Sequence, residues 1–72
     1  MKARLTNHFF SRIRQRRLDK NIIVPLVLKQ LLYLPNGKYM LYLAVKGKPI
    51  VVIVVKEGSK IHFLTAWKEK RR

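Results

Sequence analysis

Apolar residues near the start of the chain recur at helical spacing. Leu5, Phe9, Phe10 and Ile13 gather on one side when successive residues are placed about 100° apart, while the remaining positions up to Leu18 are almost all polar or basic. Thr6 or Asn7 can cap this first helix, predicted over residues 5–18. Asp19, Lys20 and Asn21 interrupt the pattern and can cap a second element from Ile22 to Leu34. That element opens with β-branched residues around Pro25 and continues with good helix formers. Proline suits the first turn of a helix and disfavours helix in the residue before it, so the second helix is expected from about Pro25 to Tyr33. Leu26, Leu28, Leu31, Leu32 and Leu34 make it apolar over most of its surface, so it must be covered by a sheet or a partner.

Beyond the turn at Pro35, Asn36 and Gly37 the chain reads as strand. Lys38 to Val45 forms the first, closed by the glycine-bearing turn at Lys46 to Lys48. Pro49 to Val55, without a polar residue, forms the second, and a turn at Glu57 to Lys60 places Gly58 where a positive φ is wanted. Ile61 to Trp67 forms the third, and Lys68 to Arg72 ends the chain as a basic tail. The predicted architecture is α+β, in the order α-α-β-β-β: one domain with two helices on one face of a three-stranded antiparallel meander. The second strand, apolar on both faces, belongs in the middle. Strict alternation puts Tyr39 and Tyr42 on opposite faces, and His62 with Leu64 and Ala66 opposite Thr65, a structural position. Two helices cover one face only, so the other is a partly covered surface or a dimer interface, and a homodimer is one expected partner state.

Composition sharpens this picture. Seventeen Lys and Arg stand against three Asp and Glu in 72 residues, a formal charge of +14. Self-repulsion on that scale calls for a polyanionic partner, with nucleic acid first and an anionic membrane surface last, because the apolar face of the first helix is needed for the core. The apolar fraction of 49% argues against disorder as the reason for the charge. With no cysteine, disulfides, cysteine-ligated zinc and thiol chemistry are excluded, and Asp19, Glu57 and Glu69 are too scattered for a two-metal or paired-carboxylate site. No cofactor or metal is expected. No stretch has the length of a membrane span or the pattern of a secretion signal, so a cytoplasmic location is expected. The charge is unevenly spread: Lys2, Arg4, Arg12, Arg14, Arg16, Arg17 and Lys20 crowd the start, and Lys68, Lys70, Arg71 and Arg72 crowd the end.

Within the first helix His8, Arg12 and Arg16 are spaced i, i+4, i+8 and form one stripe beside the apolar face. That stripe, the leucine-rich second helix, the Pro35-Asn36-Gly37-Lys38-Tyr39 turn, the apolar hairpin and a last strand ending Phe63-Leu64-Thr65-Ala66-Trp67 resemble a small domain-of-unknown-function group in the RelE/ParE-like superfamily. This superfamily includes bacterial toxin ribonucleases and shares its fold with colicin-type transfer-RNA nucleases. The resemblance covers about residues 6–67. It implies an active site at His8, Arg12, Arg16 and Thr65, the first, second and fourth as catalytic candidates. The chain departs from larger relatives in having no long fourth-strand segment, no C-terminal helix and, as read from the sequence, no strand before the first helix.

Metal-free cleavage of RNA needs an acid, a base and positive charge on the phosphorane-like transition state. Imidazole serves as acid or base, typically worth about 10² to 10⁴ in rate, and the guanidinium fork matches two phosphate oxygens. His8 as acid or base, Arg12 and Arg16 as phosphate clamp and Thr65 as hydroxyl donor form a consistent set for a metal-independent endoribonuclease. Arg14, Arg17, Lys68, Lys70, Arg71 and Arg72 are further candidates for phosphate contact, and Trp67 for stacking on a base. The partner expected is nucleic acid, RNA before DNA, with an acidic antitoxin or host protein as a further one. The alternative is a non-catalytic nucleic-acid-binding or host-protein-inhibiting protein, phage- or plasmid-encoded, on the same fold.

Overall fold

The computed structural model describes residues 2–69, so Lys70, Arg71 and Arg72 of the basic tail lie outside the described residues. The chain runs as strand β1 (Lys2–Leu5), helix α1 (Asn7–Gln15), helix α2 (Lys20–Leu31) and strands β2 (Gly37–Val45), β3 (Lys48–Glu57) and β4 (Lys60–Lys68). The α+β class agrees with the sequence reading. The sheet does not: it has four strands in the order β1-β4-β3-β2, and β1 runs parallel to β4. The expected three-stranded antiparallel meander is therefore corrected to a mixed sheet, and a strand does precede the first helix. Four residues leading straight into a helix carry little periodicity of their own. What defines β1 is its register, with Ala3 opposite Ile61 and Leu5 opposite Phe63.

α1 is shorter than predicted because it is closed firmly at both ends. Thr6 is its N-cap, and the Thr6 hydroxyl oxygen accepts from the Phe9 N–H at 3.1 Å. At the other end Leu18 N–H donates to the Ile13 carbonyl and Arg17 N–H to the Arg14 carbonyl, the paired bonds of a Schellman motif. That motif puts Arg17 in the left-handed region at φ 52°, where glycine is usual, at a cost of about 1–2 kcal/mol. α2 starts five residues earlier than predicted. Asp19 caps it through Oδ1, which accepts from Asn21 N–H at 2.9 Å, leaving Pro25 inside the helix. The proline removes the N–H that would serve the Asn21 carbonyl, but Asn21 is exposed and water can replace the bond. Starting early lets Ile23 join Val27 and Leu31 on one buried stripe, and that burial outweighs the lost bond.

Both helices pack on the same face of the sheet, α1 along β4 and α2 over β2. Phe9 meets Phe63 edge-on with ring centres 5.2 Å apart, and Ile23, Val27 and Leu31 join Leu43, Ile50, Val52 and Val54 in one core. β3 is an interior strand, as its composition requires, and β1 makes β4 interior too. At the C-terminal end of α2 the Lys56 ammonium donates to the carbonyls of Leu31 (2.8 Å), Leu32 (3.4 Å) and Leu34 (2.6 Å), so a strand cation closes the negative end of a helix. Both hairpins have two-residue loops. Lys46 and Gly47 have φ of 52° and 77°, as a type I′ turn demands, while Gly58 at 60° opens the second loop.

One irregularity decides which side chains face away from the helices. Ile53 pairs with Thr65 but Val54 pairs with Phe63, so Leu64 is an extra residue in β4. This bulge lets Ile61, Phe63 and Ala66 all enter the core, and it puts His62, Thr65 and Trp67 together on the opposite, open face. The expectation that His62 shares a face with Ala66 and lies opposite Thr65 is overturned: strict alternation fails at the inserted residue. Tyr39 and Tyr42 do fall on opposite faces, Tyr39 against the core and Tyr42 on the open side.

Candidate nucleic-acid interface

The site begins with Thr6. Besides capping α1, its hydroxyl donates to the Phe63 carbonyl at 2.9 Å, with the Leu64 carbonyl at 3.3 Å, and its backbone N–H also reaches the Phe63 carbonyl at 3.3 Å. The start of α1 is thus tied to β4 at the bulge. Two residues on, His8 lies beside Leu64 and Thr65, and these three line one open groove with Lys38 and Met40 from β2 and Ile53 from β3. His8 and Thr65 are brought together across 57 positions of sequence. Arg12, one helical turn from His8, donates from Nε to His8 Nε2 at 3.3 Å, a bond in which the imidazole nitrogen presents its lone pair.

Around this groove the open face is ordered by the register of the sheet. One row across the strands carries Lys38, Val55, His62 and Arg4, the next Met40, Ile53 and Thr65, and the next Tyr42, Val51 and Trp67. Met40 and Tyr42 are largely exposed, at 54% and 66%, so this face offers both aromatic surface and cations to a ligand. His62 Nε2 lies 3.6 Å from the Glu57 carboxylate, at the far end of β4 from the core of the groove.

The other sequence candidates divide into separate groups. Arg16 is the C-cap of α1 and not part of the helix, and its Nε is sheltered with no hydrogen-bond partner, so the i, i+4, i+8 stripe is regular only from His8 to Arg12. Arg14 lies on another side of α1, beside Phe10, Ser11 and Gln15. Arg17 and Lys68 meet in a second hollow, between the α1–α2 junction and the β2–β3 turn. Trp67 is half-buried on the open face opposite Val51. Lys38, Arg4, Lys46 and Lys48 were not singled out by sequence reasoning. Lys38 had a usable signal, since counting outward from Leu41 and Leu43 in steps of two puts Lys38, Met40 and Tyr42 on the face away from the core.

Among the described residues no three His, Asp or Glu side chains gather in a way that could hold a metal ion, and no helix is long and apolar enough to cross a membrane. No family model matches the chain, and no curated protein or solved structure is significantly similar to it.

Proposed function

We propose that the protein binds RNA across the open face of its sheet and cleaves it without a metal ion, with His8 as the acid–base group. The observation that carries this reading is the shared groove of His8, Thr65 and Lys38 with Arg12 bonded to His8. A 2′-oxygen attacks the neighbouring phosphorus while its proton passes to the His8 Nε2 lone pair. The P–O5′ bond breaks, and the leaving oxygen takes a proton from the Lys38 ammonium or from water, giving a 2′,3′-cyclic phosphate and a 5′-hydroxyl. Arg12, released from His8 as the 2′-hydroxyl takes its place, pairs its guanidinium with the non-bridging oxygens, and the Thr65 hydroxyl donates to the same group. Tyr42, Met40 and Trp67 offer stacking surface to the flanking bases.

The resemblance to RelE/ParE-like toxins is part of this proposal. Strand β1 supports it, since it supplies the element before the first helix that the sequence reading lacked relative to larger members. A second reading, RNA binding without cleavage, is favoured by one specific observation: His8 is the sole imidazole of the groove. His62 is three residues of β4 from Thr65, roughly 10 Å along a strand, and its Nε2 lies 3.6 Å from the Glu57 carboxylate.

The test is a cleavage assay in EDTA on transfer RNA, messenger RNA and DNA, with the parent protein, His8→Ala and Arg12→Ala, alongside binding to the same RNAs. Cleavage of RNA by the parent that His8→Ala abolishes while still binding is the expected result. Binding without any cleavage selects the second reading. Absence of RNA binding at low salt refutes both.

A further inference from the structure

Away from the groove, the α1–α2 junction and the β2–β3 turn enclose a hollow lined by Arg17, Lys46, Lys48 and Lys68, over an apolar floor that includes Leu18 and Ile50. Four cations converge there from three separate parts of the chain. Asp19 is the only acidic residue of the lining, and its Oδ1 is already engaged with the Asn21 N–H. Among the described residues just two that are not glycine have a positive φ, Arg17 and Lys46, both at 52°, and both line this hollow. Each occupies the turn position where glycine or asparagine is the low-strain choice: Arg17 the left-handed end of a Schellman motif, Lys46 the first residue of a type I′ hairpin loop. Two independent backbone conformations thus hold a long cation where a small neutral residue would fit better, and strain of this kind gathers at binding sites.

We propose that this hollow is a second phosphate-binding subsite for the RNA strand that occupies the His8 groove. The inference rests on the RNA reading above. α1 joins the two places: from His8 to its last residue, Gln15, is seven residues, about 10 Å at 1.5 Å per residue, and Arg17 follows two residues beyond. Along β4, Thr65 and Lys68 are about 10 Å apart, Thr65 on the open face and Lys68 opposite the core-facing Ile50, so the RNA strand passes around the end of the sheet to reach the hollow. A single strand covers such a span in a few nucleotides. A phosphate entering the hollow is met by one planar guanidinium and three ammonium groups, a recognition by charge and fork geometry that reads no base. The hollow is therefore an anchor that fixes where along a strand the groove engages.

The experiment measures binding of a short single-stranded RNA as a function of salt for the parent, Arg17→Gly, Lys46→Gly, the double variant and Lys29→Gln, an exposed α2 cation outside the hollow. Glycine relieves the backbone at both positions, so these variants melt no lower than the parent and a loss of binding cannot be ascribed to unfolding. Each glycine variant is expected to bind several-fold more weakly. The double variant should lose one phosphate contact, flattening the log–log salt slope by about 0.7, while Lys29→Gln leaves the slope unchanged. If the glycine variants keep the parent's affinity and slope, or Lys29→Gln loses as much as they do, the subsite is refuted and the RNA reading stands. A parent that binds no RNA refutes both.

Discussion

Thr6 joins the fold to the groove through a single oxygen, and that makes its removal a sharp perturbation. Thr6→Val keeps the shape and deletes the hydroxyl. Loss of the N-cap costs about 1 kcal/mol, and loss of the hydroxyl bond to the Phe63 carbonyl about 1 kcal/mol more. The Phe63 carbonyl keeps the Thr6 N–H as a donor, so that acceptor is not orphaned and the sum stays near 2 kcal/mol. A domain of 72 residues has roughly 4–11 kcal/mol in total, so the loss is a large share. At roughly 4–8 °C per kcal/mol for this size, Tm falls by about 8–16 °C. Thermal unfolding followed by far-ultraviolet circular dichroism reads this directly. Thr6→Ser retains the oxygen and is expected to recover most of the loss. If Thr6→Val melts with the parent, or Thr6→Ser falls as far as Thr6→Val, then the hydroxyl does not tie α1 to β4 and the placement of His8 beside Thr65 has another cause.

Lys56→Met keeps the apolar stem and removes the donor to three carbonyls at the end of α2. It should destabilise by about 1.5–2 kcal/mol in urea titration, whereas the exposed Lys60→Met stays within about 0.5 kcal/mol. Pro25→Ala restores the N–H that the Asn21 carbonyl lacks. The gain inside the helix exceeds the entropy returned to the unfolded chain, so this variant should be more stable by about 1–2 kcal/mol, and an equal or lower midpoint would count against an intact helix through Pro25.

Much of the fold was legible wherever local chemistry decides. Thr6 announces the start of α1, Gly47 and Gly58 announce the hairpins, and an all-apolar strand announces an interior position. Three features were not legible, each because a distant partner decides them. β1 is a strand only through pairing with residues 60–63, more than fifty positions away. The early start of α2 reflects burial of Ile23 against the sheet, which outweighs the preference of proline for a first turn. The bulge at Leu64 exists because both Phe63 and Ala66 are drawn into the core, and one inserted residue reverses the face assigned to His62. For the site, the i, i+4 spacing of His8 and Arg12 was visible and the two are bonded. The meeting of His8 with Thr65 followed from a resemblance and not from periodicity. The hollow at Arg17 and Lys46 needed backbone angles that no residue type discloses.

How a chain of charge +14 remains folded bears on where that charge can act. Part of it is absorbed by the backbone itself. Lys56 sits on the carbonyls that end α2, Arg12 and Arg14 occupy the last turn of α1 and Lys29 the last turn of α2, all at the negative ends of helix dipoles. Lys20 stacks over the Phe10 ring at 5.0 Å. In the hollow four cations share one carboxylate, Asp19: Arg17 and Lys46 occupy strained backbone, and Lys48 and Lys68 crowd beside them. Repulsion and strain therefore coincide at one place on the surface, the place where an incoming phosphate relieves the repulsion. A polyanion that binds there stabilises the folded state by RT ln(1 + [L]/Kd), so binding and folding are coupled through the same few side chains. The excess charge divides into cations that the helix ends and an aromatic ring compensate and cations gathered in the hollow, on which the proposed phosphate contact rests.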